Sequence, residues 1–540
     1  MKHCTSSRCK KNKCLPDYDE YTLDTIQVTN LSSFKCLPTS NNPDTTGKVF
    51  PNSEAEPSIA IGFNPKNENV PMIVICYQQD RYNHGGGCSA DFMKISFDGG
   101  ETFEDAIALP DVTCYGGKFE RTTDPHVAIT TEGEILFCGD PYNIVNNNLC
   151  GVSISKYNVL TETFTYNQIL DPLTGNLTGP DDAGTDYPFL IIDPQDCTGN
   201  TAYMTWNRYW VLDPDLDPGF THSQTNLVFT KTTNGVNWST PKIFTETPEL
   251  DISLALDHNI DPPLPDTYMG GNQLALLKNP CESYSKIVAC FNDFTGADYG
   301  ANNQYNLLYS CFSLNQGVSW STPILFDIRT NGGSASSPTQ IVDPDNYDVL
   351  IRGGSGAPFV VSDRKRNRLF VVAGLDSLLN LPTPTPAGIY LFVSLDGAET
   401  WKIVGKINRD QSAQAFNPSI IILKNGDIAV TYYDFRNHVL DSDLNKPLET
   451  DYWLNIFRYS KKNNIATLIK EIRLTNVSFN FRNAIPLAGG SSLVPGGYFI
   501  GDYMGLENKN NKIYTSYGIA NEPQVPENKT NIYSTIISFE

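Results

Sequence analysis

Polar and ionisable residues recur at matching places along the chain. One set opens short apolar runs: Glu56, Asp124, His126, Asp186, Tyr187, Asn272, Gln273 and Asn417. A second set closes the runs that follow: Asp80-Arg81, Asp140, Arg208, Asp293, Asp376 and Asp434-Phe435-Arg436. Carboxylates and histidine serve acid–base chemistry, and arginine grips carboxylates with two parallel hydrogen bonds. Taken singly, each of these residues reads as a strand-end cap, and repeated polar positions also suit a wet central channel. Their recurrence at equivalent places is what marks a shared site. Two acidic strings point elsewhere. Asp213-Pro214-Asp215-Leu216-Asp217 and Asp441-Ser442-Asp443-Leu444-Asn445 alternate oxygen donors, as a hard cation requires. Neither has the glycine and glutamate of an EF-hand loop, so calcium stands against solvated acidic loops. No other cofactor is expected.

The runs that must position these residues form a repeat. Each begins with a polar or small residue, often followed by proline, and continues apolar. Examples are Glu56-Pro57-Ser58-Ile59-Ala60-Ile61, Asp124-Pro125-His126-Val127-Ala128-Ile129 and Tyr187-Pro188-Phe189-Leu190-Ile191-Ile192. The series continues at 272–277, 357–361 and 417–422, with a looser copy at 497–503. Residues apolar on both faces suit strands packed on both sides. A second strand follows each after a short turn, as at Met72 to Gln78 and Asp427 to Tyr433. A longer loop, a third strand and an outer strand complete the unit. The last unit lacks a strand, and Asp24 to Ser32 resembles Lys470 to Ser478, the outer strand of the sixth. The N-terminal strand is therefore expected to complete the last unit and close a ring. The expectation is an all-β single propeller of four-stranded antiparallel blades over 24–540, seven-bladed, with six as the alternative. Residues 1–23 form a basic, cysteine-bearing tail, expected to be disordered. The longer loops and the starts of the first strands share one face, where function is expected.

Third strands lead into a repeated turn. Ser96-Phe97-Asp98-Gly99-Gly100-Glu101-Thr102-Phe103 is the fullest copy. Ser394, Asp396, Thr400 and Trp401 repeat it, with Ala398 in place of the second glycine; Ser313 to Trp320 keeps Gly317 and Trp320. Lys231 to Trp238 keeps Gly235 and Trp238. Aspartate and serine bond the turn backbone, glycine accepts positive φ, and the aromatic folds back on the sheet. The motif resembles the Asp-box, or BNR repeat, of the sialidase-like β-propellers. The resemblance covers roughly residues 50–540 and is clearest in the last third. It implies a structural role for Ser96, Asp98, Gly100, Thr102 and Phe103 and their counterparts, on the blade rim. It also implies a glycan or glycoprotein partner and, if active, an exo-sialidase-like glycosidase; the alternative is an inactive relative. In sialidases three arginines clamp the substrate carboxylate, a tyrosine activated by glutamate is the nucleophile, and an aspartate is the acid. The resemblance thus implies Arg436, Arg482 and Arg121 or Arg208 as clamps, with Asp434 beside them, Tyr503 as nucleophile and Asp124 or Asp80 as acid. Two departures weigh against activity. The Arg-Ile-Pro string of true sialidases is absent before the first Asp-box, and the sequence places no glutamate visibly beside Tyr503.

Composition narrows the classes. The chain has 540 residues, 27 Tyr, 27 Phe and a net charge of −21. So acidic a chain is a poor nucleic-acid binder, and no apolar run is long enough to span a membrane. No secretory signal is read at the N-terminus, which points to a cytoplasmic or virion-associated protein. The competing function is a structural or adhesive surface protein, a virion component included, that uses the propeller as a platform. The 13 Cys all lie at or before Cys311, and Cys4, Cys9 and Cys14 share the basic tail. Free thiols are expected, with Cys138/Cys150 and Cys281/Cys290 as possible local bridges.

Overall fold

The computed structural model describes residues 18–29, 48–83, 86–143, 149–174, 183–211, 223–245, 267–280, 282–295, 305–330, 341–352, 357–375, 386–487, 497–522 and 528–539. Apart from two short 3-10 turns, the regular elements among them are β-strands.

Within each blade the strands pair antiparallel and step outward from an inner strand; among the described residues, parallel pairing of strands is confined to Gln224 with Thr267, between two blades, and to 350–352 with 497–499. The inner strands are Ala55–Gly62, His126–Ile129, Ala183–Ile192, Thr267–Leu277, Phe359–Asp363, Ala415–Ile422 and Gly505–Lys509. Each packs against the next, and the last returns to the first. Among the described residues this cycle has seven members, so the sheets form the blades of a β-propeller. Apolar side chains on both faces of each blade bury themselves against the two neighbouring blades. Ile59, Ile73, Ile75 and Tyr77 of the first blade pack with Tyr514, Ile532 and Ile536 of the last.

The starts of the inner strands, most of them proline-bearing, have a common shape. Register shifts occur between Ala55 and Ser58, Asp186 and Phe189, Gly270 and Gln273, and Phe416 and Ser419. Proline has no N–H to give the ladder, so a bulge is where a sheet tolerates it. Beside these prolines, Glu56 (φ 54°), Asp124 (φ 53°), Tyr187 (φ 56°) and Asn417 (φ 49°) have positive φ; Gly271 takes the same place in the fourth blade. Such backbone is costly for residues with a Cβ and persists only where its surroundings hold it.

The ring closes as the N-terminal strand suggests. Tyr21–Gln27 pairs antiparallel with Thr530–Phe539. Lys94 Nζ donates to Val28 O (2.9 Å), and Thr29 Oγ1 to Glu54 Oε2 (2.9 Å), so the first blade also holds this segment. One expected strand is corrected. Gly497–Phe499 is not the seventh inner strand: it joins an added sheet with Ile485–Leu487, Asn346–Arg352 and Ile341–Asp343. Its apolar run has the pattern of an inner strand. However, Gly501 passes so near the first blade that an added Cβ would lie 2.7 Å from Glu56 N, and the inner strand begins only at Gly505.

The serine–aspartate turns have the expected bonding. Asp98 Oδ1 accepts from Ser96 Oγ (2.8 Å), Glu101 N (2.9 Å) and Thr102 N (3.0 Å). These bonds outweigh burial and hold the Asp98 pKa down at about 2. Asp396 repeats the pattern with Ser394 and Thr400, and Asn315 with Ser313 and Ser319. The aromatic residue that ends the turn packs on the preceding blade. Trp401 stacks on Phe326 and donates to Ser310 Oγ (2.8 Å), and Trp320 lies 4.4 Å from Phe244, ring to ring.

Cys138 and Cys290 carry free thiols, as expected by default, so neither of the local bridges considered forms; Cys114 departs from that default and is disulfide-bonded.

Candidate functional site

In the first blade Ile73 pairs with Ser96 beside the turn, and Arg81 pairs with Cys88 at the far end. The starts of the inner strands lie at this far end, opposite the serine–aspartate turns. Here the second and third blades bring three carboxylates together. Oxygens of Asp124, Asp140 and Asp186 all lie within 4.8 Å of one another. Asp124 and Asp140 are buried, and Asp186 is partly exposed. Thr185 Oγ1 donates to Asp140 Oδ1, and Tyr187 N lies 3.4 Å from Asp124 Oδ2. The Asp124 and Asp186 carboxyl groups face one another, with oxygens no more than 4.8 Å apart. Carboxyl groups packed this closely do not all ionise together. Burial first, then Glu56, Asp186 and Asp140, push Asp124 well above the carboxylate range. Burial does the same to Asp140. Such a set can pass a proton, and it is also the kind of oxygen cluster that can hold a cation.

Ring closure brings the first and last blades to this cluster. Glu56 accepts from Gln78 Nε2 and from Asp502 N (3.3 Å). Gln78 Nε2 also reaches Thr123 Oγ1 (2.7 Å). Tyr503 lies beside Asp124: its hydroxyl donates to Pro125 O (3.1 Å), and its ring meets Tyr187 edge to face at 5.7 Å. Burial, with Glu56 and Asp124 nearby, raises the phenol well above its ordinary value. Tyr503, Glu56 and Asp124 are thus neighbours, although the sequence showed no glutamate beside Tyr503. His126 lies against Phe189, the rings tilted with centroids 4.6 Å apart, and burial lowers its pKa to about 4, so it is neutral.

Asn207 and Asn272 escaped the sequence reading as a pair. Asn207 is the ladder partner of Asp186, so both side chains leave the sheet on one face. Asn272 Nδ2 donates to Tyr187 O (3.3 Å) and to Asn207 Oδ1 (2.6 Å). The only signal in sequence was polar residues at strand ends; the register that joins them lies in the bulge.

The other sequence candidates lie apart from the cluster. Asp80 accepts from Asn52 N (2.7 Å) and Gln79 Nε2 (3.1 Å), anchoring the segment before the first inner strand. The four arginines do not converge. Arg121 lies over the Tyr82 ring at 3.5 Å and donates to Gly86 O (3.1 Å). Arg208 is ion-paired with Asp171. Arg436 donates to Asp434 (2.6 Å), Glu471 (2.9 Å) and Tyr432 OH (3.0 Å). Burial raises Asp434 to about 6 against the pull of Arg436. Arg482 holds Asp343 (2.7 Å) and Asp345 (2.7 Å). Of the calcium candidates, Asp213, Asp215 and Asp217 lie outside the described residues. Asp441 is paired with Lys446, and Asp443 Oδ1 accepts from Asn445 N (3.1 Å).

No protein-family model matches the chain. No curated protein matches it either. Solved structures of similar shape include a polysaccharide lyase of family PL25, an ulvan lyase bound to a sulfated disaccharide repeat. It has 11% identity and a TM-score of 0.46 over 90% of this chain and 94% of that one. The GH93 α-L-arabinofuranosidase of Fusarium graminearum has 13% identity and a TM-score of 0.41, covering 84% and 99%. Trypanosoma rangeli sialidase has 10% identity and a TM-score of 0.38, covering 77% and 54%.

Proposed function

We propose that this chain is a sialidase-like propeller protein directed at glycans, and that it hydrolyses glycosidic bonds with the Asp124–Asp186 pair as its acid. The close packing of these carboxyl groups in a largely buried cluster carries the reading. Burial and the neighbouring carboxyl groups raise the Asp124 pKa, so the cluster holds a proton to give the glycosidic oxygen as it leaves. Asp186 is the partly exposed member and so the one to deliver the proton. Tyr503 has its hydroxyl engaged with Pro125 O and serves to position Tyr187 and Asp124 rather than to attack.

The test is turnover of a fluorogenic glycoside panel by the purified chain and by Asp124→Asn, Asp186→Asn and Tyr503→Phe. The aspartate variants are expected to lose about 100- to 10,000-fold in kcat, the range of general acid catalysis. Tyr503→Phe should retain most of its activity. Loss with Tyr503→Phe alone would favour a tyrosine nucleophile instead, and no turnover by folded protein would remove the hydrolase reading. A second reading, a non-catalytic adhesive platform, has specific support. The candidate clamp arginines are engaged in separate places, and Val439 and Leu440 are 80% and 69% exposed on a loop tied down by Arg482.

A further inference from the structure

We infer that the group recognised beside Asp186 is a hydroxyl of an uncharged sugar, held between the Asn207 amide and the acid cluster. The inference rests on the glycan-directed reading above and names its substrate class. The Tyr187 carbonyl fixes the orientation of the first amide, because only the NH2 end of Asn272 can donate to it. The same Nδ2 meets Asn207, which must therefore present its oxygen. Asn207 Nδ2 is left with no hydrogen-bond partner, on a side chain that is fully buried, and the other end of the Asn272 amide, Oδ1, is likewise unpartnered. A buried amide N–H without a partner is costly, because it has given up water and gained nothing in return. It leaves the sheet on the same face as Asp186.

The pair of features selects the ligand. Carboxylates alone would suit a metal ion, but an N–H donor on the same face repels a cation. An anionic sugar would satisfy the N–H, yet beside Asp124, Asp140 and Asp186 it would meet acids rather than a cation, with Arg208 already ion-paired to Asp171. A hydroxyl meets both demands: its oxygen accepts from Asn207 Nδ2 while its proton goes to a carboxylate. Water satisfies the same geometry, and a sugar hydroxyl replaces it without loss of either bond.

The test compares neutral 4-nitrophenyl glycosides (glucoside, galactoside, mannoside, rhamnoside and arabinofuranoside) with a sialoside, a glucuronide and a glucosaminide. Both binding and turnover are measured on the full chain. Asn207→Asp is isosteric and replaces the donor with a second charge; Asn207→Ala removes it; thermal unfolding of each verifies folding. A neutral glycoside is expected to bind, and both variants should weaken it by about tenfold or more. Selective binding of that kind without turnover upholds the inference while removing the hydrolase reading. Preference for the sialoside, glucuronide or glucosaminide, or neutral binding indifferent to Asn207, overturns the inference and leaves a glycan-directed protein. Stabilisation by calcium that Asp186→Asn abolishes would assign the place to a cation and overturn it. Binding of none of these sugars removes both.

Discussion

Carboxyl groups that burial keeps from ionising are concentrated in the first two blades. Asp91 is pushed up to about 8 and Asp111 to about 7, in both cases chiefly by burial, while hydrogen bonds from Thr122 and Ser153 pull the other way. A carboxyl whose folded pKa exceeds its unfolded value binds more protons when folded. Its contribution is full below about pH 4 and is lost as pH rises through its folded pKa. Asp98 and Asp196, held at about 2, act in the opposite sense but change only at far lower pH. The melting temperature should therefore fall between pH 6 and 9, by roughly a few degrees. Asp91→Asn should flatten that slope, and unfolding scans at several pH values with both proteins would check it. A melting temperature that rises over this interval would contradict the ionisation states described here.

At the level of strands and turns, the prediction concerns what fastens one blade to the next. Gly100 and Gly317 have φ of 100° and 77°, and a Cβ would lie 2.6 Å from Ile536 Cδ1 and 2.1 Å from Phe229 Cε1, atoms of the preceding blades. Gly100→Ala and Gly317→Ala should each cost about 1–3 kcal/mol in denaturant unfolding, through strain and overpacking. Trp401→Phe keeps the packing on Phe326 but loses the bond to Ser310, a cost of roughly 1 kcal/mol. These turns were legible in the sequence because their bonds run within eight residues. So were the inner strands, whose prolines mark the bulges, and the acids Asp124 and Asp186 at their starts. The reading failed where distance in sequence is closed by the ring. Gly497 to Tyr503 has an inner strand's composition but approaches the first blade too closely to be one. The neighbourhood of Glu56 and Asp502 joins residues 446 positions apart, which no local pattern encodes. Asn207 went unnoticed because its meaning depends on the register opposite Asp186.

The whole molecule depends on the strand that completes the last blade. Removing residues 1–29 would strip Tyr21–Gln27 from Thr530–Phe539 and leave Glu54 and Lys94 without Thr29 and Val28. The exposed edge of the strand ending at Phe539 should then pair with other copies. Size-exclusion chromatography should find aggregates, and the unfolding midpoint should fall sharply. A monodisperse protein of unchanged stability would show that the ring holds without this strand. The same pairing sets a timetable for synthesis. Thr25 and Thr535, hydrogen-bonded side to side, are 510 positions apart. At roughly 5–20 residues per second, a ribosome delivers the second about 25–100 s after the first. Throughout that wait the early strand has no ladder to join. Five of its seven residues are exposed even in the finished ring, Asp24 and two threonines among them, a surface that tolerates water until its partner arrives.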